Sequence, residues 1–346
     1  ERTLMTDIRE KLKKLRTPVV LYGTGDGADR LIDDLNKLGV AVSGVFASDG
    51  FVRERMFRGF KVESFDSLYR RFPDMTVLMC FGSDREEVLE NIERISSAVP
   101  LFFPEYPVYG DNIFNSEFAK LHRTELEFVR ARLADELSVK TFDCIVKFRI
   151  TGELKYLFDC ESEDEPIPRL PNNTVFADFG AYNGDTVKKF VGNTPDYSRI
   201  IAVEPDTRNY RKLCENTAGF KNVRCINAAV GSFGGEVSVE SKKGRGTHAA
   251  ADGAHAAVCV TADMILCREV GSILMKVDVE GSEADFIRGA RQVIADKRPQ
   301  IRMACYHRSE DIFALPVSIL ALRDDYRIFL RHKSGVPSWN TEYFFV

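Results

Sequence analysis

The chain has 346 residues, 44% hydrophobic and 29% charged, with 52 acidic against 48 basic side chains for a net charge of −4. That length favours two domains over one core, and the composition is that of an ordinary soluble globular protein. No Lys/Arg block is present to hold nucleic acid by phosphate neutralisation, and no apolar run approaches the ~18 residues of a membrane-spanning helix, so neither class of function is expected.

No secretory signal is visible from Glu1-Arg2-Thr3-Leu4 onward. The eight cysteines (80, 144, 160, 214, 225, 259, 267 and 305) are scattered, no two of them two or three residues apart. They read as small buried hydrophobes in a reducing compartment, with the cytoplasm as the expected location.

Residues 1–108 alternate strand and helix signals. The run Val19–Tyr22 ends at Gly23, and Ala28, Leu31, Ile32, Leu35 and Leu38 follow at helical spacing before Gly39. Further apolar runs span Val40–Ala47 and Thr76–Phe81, and Val88, Leu89, Ile92 and Ile95 mark another helix. This alternation predicts a small Rossmann-like parallel sheet covered by helices. Its first turn, Gly23-Thr-Gly25-Asp26-Gly27-Ala28, partly matches the Gly-x-Gly-x-x-Gly/Ala fingerprint, with Asp49 placed to meet a ribose. A nucleotide or nucleotide-sugar at Gly23, Gly25, Gly27 and Asp49 is therefore one expectation. Against it, Asp26 puts a negative charge in the loop, and a turn that packs a helix close to its sheet needs similar glycines with no ligand.

Residues 109–172 predict a helical connector, with Phe118, Leu121, Leu126, Val129, Leu133 and Leu137 roughly helically spaced and a second apolar stretch at Phe142–Ile150. The acidic, Pro-containing segment Cys160–Pro171 is expected to be an exposed linker.

From residue 173 to 346 strand signals are dense: Val175–Phe179, Ile200–Val203, Val223–Val230, Ile273–Val279, Gln300–Tyr306, Tyr326–Leu330 and Tyr343–Val346. Helical patterns follow the first, second, fourth and fifth. No helix separates the last two, so these are expected to pair as an antiparallel hairpin. The Gly-, Ala- and Lys-rich stretch Lys242–Ala257 is expected to be a mobile loop between two short added strands, placed to act as a lid over an acceptor pocket.

Three motifs carry the chemistry. In Asp178-Phe-Gly180-Ala-Tyr182-Asn183-Gly184-Asp185-Thr186 a buried strand enters a glycine-interrupted turn and opens a helix. Glycine lets backbone approach a ligand closely, and a helix N-terminus favours an anion. The acid at the strand end is awkward beside a pyrophosphate but suits a ligand carrying an ammonium, and S-adenosylmethionine offers both ammonium and carboxylate. Glu204, in Val203-Glu204-Pro205, follows Gly180 by 24 residues, near the ~20-residue separation at which an acid meets ribose hydroxyls. In Lys276-Val-Asp278-Val-Glu280-Gly-Ser-Glu283, strand alternation puts Lys276, Asp278 and Glu280 on one side. Three ionisable groups ending a central strand are costly to bury without a purpose. A bland alternative is a Lys–Asp ion pair followed by a helix-capping Glu.

With Asn227-Ala228-Ala-Val-Gly231, these motifs resemble the FkbM family of S-adenosylmethionine-dependent methyltransferases over residues 173–346. The resemblance implies a seven-stranded Rossmann-like methyltransferase sheet with its last strand antiparallel. It also implies S-adenosylmethionine as cofactor and O-methylation of a hydroxyl on a small-molecule, sugar or glycan acceptor. Gly180, Tyr182, Asn183, Gly184, Asp185 and Thr186 would then border the methionine end, with Asp178 near its ammonium. Glu204 would hold the ribose, and Asn227 and Ala228 would border the adenine. Lys276, Asp278, Glu280 and His307 would form the catalytic end, with the acids or His307 as general base. No metal site is assigned, since Asp278 and Glu280 alone are a thin ligand set. The competing readings use the Gly23–Ala28 loop beside a non-catalytic methyltransferase-like domain: an NAD(P)-dependent oxidoreductase, for which the sequence lacks a hydride-transfer constellation, or a nucleotide-sugar-binding protein.

Overall fold

The computed structural model describes residues 5–48, 56–167, 170–241, 247–249 and 255–346. In its front part, β1 (Val19–Tyr22), β2 (Val42–Phe46), β3 (Met56–Phe57), β4 (Phe60–Glu63), β5 (Thr76–Met79) and β6 (Leu101–Phe102) form a six-stranded sheet in the order β3-β4-β2-β1-β5-β6. Its pairs are parallel except the β3–β4 hairpin. Every residue of β1 and β5 is buried, the pattern of central parallel strands covered on both faces. Strands β3, β4 and β6 have two to four residues, too few to show a period in the sequence.

The expected connector is helical, at Ser116–Leu121, Arg123–Arg132, Glu136–Thr151 and Lys155–Phe158. Its longest helix starts where the Asp135 carboxylate accepts the Ser138 N–H at 2.7 Å and stops at Gly152 in the left-handed conformation. Apolar residues lie on several of its sides, because it packs between the two large sheets. Phe142, Ile145 and Phe148 belong to one continuous core with Val20 and Val77 of the first sheet and Val175 and Ile328 of the second. Within the same helix the buried Arg149 pairs with Glu105 at 3.1 Å, and Ser338 donates to that carboxylate at 2.6 Å. The segment is thus a shared inner layer more than a spacer.

The second large sheet holds β7 (Val175–Phe179), β8 (Arg199–Val203), β9 (Val223–Ile226), β14 (Ile273–Val277), β15 (Gln300–Ala304), β16 (Ile328–His332) and β17 (Thr341–Phe345), in the order β16-β17-β15-β14-β7-β8-β9. The last strand, β17, is antiparallel and pairs with β16, as the sequence predicts, and it is inserted between β15 and β16. The run Val223–Val230 splits: β10 (Ala229–Val230) leaves for a small sheet with β11 (Gly235–Ser241), β12 (Thr247–Ala249) and β13 (His255–Val260). Most of the expected Lys242–Ala257 lid, and Asp49, lie outside the described residues.

The segment after Cys160 does not stand clear of the protein as an exposed linker would. It is strapped along the edge strand β16, where Ser162 N–H donates to His332 O at 2.9 Å, Asp164 pairs with Arg331 at 2.7 Å and Glu165 with Lys333 at 2.6 Å. Covering a sheet edge in this way removes a template for unwanted strand pairing. Among the described residues no helix is long and apolar enough to cross a membrane, and all eight cysteines are free.

Candidate active site

Sheet register places the charged residues side by side. Lys276 of β14 stands opposite Asp178 of β7 and Arg302 of β15. Because side chains alternate along each strand, these residues form one charged row across the middle of the sheet. Lys276 Nζ lies 3.4 Å from Asp178 Oδ1 and 3.6 Å from Asp278 Oδ2, and it donates to Gly180 O at 2.8 Å. Burial by itself disfavours the Lys276 ammonium, but the Asp178 and Asp278 carboxylates outweigh it and hold its pKa above the ordinary lysine value. Arg302 is held in turn by Glu342 at 2.7 Å. The ion-pair alternative weighed from sequence is therefore present, and it is built into the wall of a cavity.

That cavity has a volume of about 270 Å³ and opens at the carboxyl ends of β7, β8, β14 and β15, where open α/β sheets bind ligands. Gly180, Tyr182, Asp185, Thr186, Glu204, Lys276, Asp278 and Glu280 all line it, so residues from three separate motifs meet there. The turn after β7 is shaped by backbone. Gly180 has φ of +84°, and a Cβ there would sit 1.8 Å from Asp278 O. Its glycine is thus demanded by the approach of the β14 loop, whatever else binds nearby.

Asp178 is completely buried and stands one layer behind the cavity wall. Its Oδ2 accepts the Thr186 hydroxyl, while Oδ1 has no hydrogen bond. Burial pushes this carboxyl upward in pKa, against the pull of Lys276 and Thr186. Glu204 ends β8 with both oxygens engaged, Oε2 by the Tyr182 N–H and Oε1 by the Asp206 N–H, each at 2.9 Å. Burial raises its pKa to about 7 despite those two bonds. Each oxygen keeps a lone pair for a further donor.

Asn227 and Asn183 serve the frame. Asn227 Nδ2 donates to Glu204 O at 2.9 Å and Pro205 O at 3.0 Å, fastening the end of β8, and the cavity is lined by Ala229 and Val230 and not by Asn227 or Ala228. Asn183 caps Asp185 N–H through its side chain and accepts from Asn216 at 2.8 Å through its carbonyl.

At the other end of the cavity Asp278 is held ionised: burial pushes its carboxyl up, and Lys276, His307 and Arg302 together bring it below the ordinary value. His307, 1% exposed, stands with Nε2 3.6 Å from Asp278 Oδ1 and 3.5 Å from Glu280 Oε2, and with Nδ1 2.9 Å from Glu283 Oε1. Burial alone would lower its pKa, but Glu283, Glu280 and Asp278 outweigh that and favour the imidazolium. A free-base role thus fits the two acids better than His307. Glu283 also accepts the Val279 N–H at 3.0 Å, the loop cap that sequence allowed.

Several wall residues were not anticipated. Tyr306 and Arg302 line the cavity, and alternation along β15 from Gln300 to Tyr306 was the available signal. Tyr109, from the far end of the connector, donates to Glu280 Oε2 at 3.3 Å, and its ring fills the place of a Gly281 side chain. Nothing local in the sequence points to that contact.

Two of the three glycines of the front turn have a packing explanation, while a Cβ on Gly25 would meet nothing and Gly25 lines a second cavity. A Cβ on Gly27 would lie 2.0 Å from Cys80 O, and one on Gly23 would lie 2.7 Å from the Phe81 ring. Nucleotide-sugar binding at Gly23, Gly25, Gly27 and Asp49 is not supported.

The family model described as Methyltransferase FkbM domain matches residues 178–328. Over 98% of this chain and 93% of its own, the crystal structure of Methyltransferase FkbM from Methylobacillus flagellatus is similar, with TM-score 0.74 and 21% identity. Aeropyrum pernix fibrillarin, in complex with S-adenosyl-L-methionine, is similar over 52% of this chain and 69% of its own, at 15% identity and a TM-score of 0.33 that carries no weight here. No curated protein matches the chain.

Proposed function

We propose that the chain, whose residues 178–328 match the FkbM methyltransferase domain model, transfers a methyl group from S-adenosylmethionine to a hydroxyl oxygen of a sugar, glycan or natural product. The observation that carries this reading is the convergence on one cavity of the Gly180–Thr186 turn, the Glu204 carboxylate and the ionised Asp278. The donor set suits the cofactor. A carboxylate at the end of β8 matches a ribose diol, and the Asp185–Asn193 helix presents its N-terminus to the cavity, where a carboxylate is favoured.

When bound, S-adenosylmethionine supplies a methyl carbon activated by its sulfonium. The protein's own work is then to bind, to orient and to take a proton. Glu204 accepts from the ribose hydroxyls. Asp178 acts from behind, fixing Thr186 and Lys276. Asp278 and Glu280 accept a hydrogen bond from the acceptor hydroxyl, and one of them removes its proton as the oxygen is alkylated. Lys276 keeps Asp278 ionised for that purpose, and Tyr109 holds Glu280.

Calorimetric titration of the whole chain with S-adenosylhomocysteine tests the reading, with NAD as comparison. One equivalent of S-adenosylhomocysteine is expected to bind, and NAD to give no heat. Heat with NAD and none with S-adenosylhomocysteine would overturn it.

A further inference from the structure

We infer that Asp278, Glu280 and His307 form a binding site for one divalent transition-metal cation at the acceptor end of the cavity. This rests on the reading of that cavity as the site of methyl transfer and adds an ion to it.

Asp278, Glu280 and His307 each offer one ligand atom, and the three lie within 4.8 Å of one another. Nε2 stands 3.6 and 3.5 Å from the two oxygens, wider than the roughly 2.7–3.2 Å of an N–H···O bond and close to the spacing of neighbouring ligands on one small cation. The other ring nitrogen is backed by Glu283 Oε1 at 2.9 Å. That contact is a charge pairing without hydrogen-bond alignment, and Nδ1 has no hydrogen-bond partner. Glu283 is itself fully buried, held by the Val279 N–H, with its second oxygen unpartnered.

Glu280 is the turn residue after β14, with φ of +54°. Tyr109 and Tyr306 hydroxyls approach the two carboxylate oxygens at 3.3 and 3.5 Å, leaving lone pairs for an ion. Lys276 meets Asp278 through the other oxygen, Oδ2.

The neighbouring set Glu283, His307 and Asp311 is also within reach of one ion. It is wholly buried, and Glu283 Oε1 already serves the Val279 N–H, so the set in which Asp278 and Glu280 line the cavity, with the buried His307 behind them, is preferred. Two carboxylates and one imidazole select a first-row ion such as Mn²⁺ over Ca²⁺, which prefers an all-oxygen shell. Three protein ligands leave positions for water or for an acceptor hydroxyl, whose proton a divalent ion makes easier to remove.

The test is titration of the full chain with Mn²⁺, reading the free aqua ion by electron paramagnetic resonance, with S-adenosylhomocysteine binding measured on the same samples. One Mn²⁺ per chain is expected, with affinity reduced at least about tenfold in Glu280→Gln and in His307→Gln. No Mn²⁺ bound at millimolar concentration, or equal binding in wild type and Glu280→Gln, sinks the site. Glu280 is partly exposed, so its variant decides the matter if His307→Gln does not fold. Mn²⁺ binding with no S-adenosylhomocysteine binding would overturn the methyl-transfer reading and leave the cation site standing. The reverse pattern would remove the cation alone.

Discussion

Glu204→Ala is expected to weaken S-adenosylhomocysteine binding about 100-fold. A hydrogen bond to a charged group contributes roughly 1.5–3 kcal/mol, two such bonds are assigned to the ribose, and each 1.4 kcal/mol is about a tenfold change. The same carboxylate accepts the Tyr182 and Asp206 N–H groups, so Glu204→Gln, which keeps one acceptor oxygen, separates ligand loss from loop loss. Protonation adds a second signature. Burial raises the Glu204 pKa from its ordinary 4.5 to about 7, so in the free protein this group favours the fold below about pH 4.5, and that contribution is lost as the pH rises to about 7. Binding runs the other way, since the ribose needs the carboxylate. Affinity should climb with pH through about 7 in the wild type and stay flat in Glu204→Gln. Calorimetry from pH 5.5 to 8.5 reads both effects, and an alanine variant within about threefold of wild type would take Glu204 out of the site.

Lys276→Met is expected to lower the melting temperature by about 5 °C. Breaking a buried pair by removing one partner costs about 3–5 kcal/mol, because the charge left behind has no compensation, and each kcal/mol moves the midpoint of a chain this size by about 1–2 °C. Here two carboxylates lose their counter-ion at once. The Lys276→Met/Asp178→Asn double variant should recover part of the loss. Asp278 sits below its ordinary pKa with Lys276 among the causes. Its stabilisation is present above the ordinary carboxylate range and fades as the pH falls, so the gap between wild type and Lys276→Met should narrow in acid. Circular dichroism melts at pH 4 and 7 test this; a variant melting within about 2 °C of wild type at pH 7 would remove the pair from the account.

Both large sheets were readable in the sequence wherever a strand was long and apolar. Val175–Phe179 and Ile273–Val277 are buried at every position, and the missing helix before Thr341 announced the antiparallel return. Short strands such as Met56–Phe57 carry no period and went unseen. In the cavity, Glu204, placed by its spacing from Gly180, and Lys276 and Asp278, placed by strand alternation, line the wall. Asp178 and Asn227 end up behind it, because the glycine turn after β7 and the split at Asn227 set side-chain depth by backbone conformation. Tyr109 was out of reach, since its contact with Glu280 spans 171 residues and depends on how the connector docks.

The helix Glu136–Thr151 has a consequence for inheritance. Its core residues are held in common by the front sheet and the sheet that carries the cavity, so a recombination breakpoint near residue 172 would leave both products with an exposed apolar face. The front half cannot be traded between relatives as an independent cassette. Tyr109 ties that half to Glu280, so substitutions beside Tyr109 are expected to alter the cavity wall.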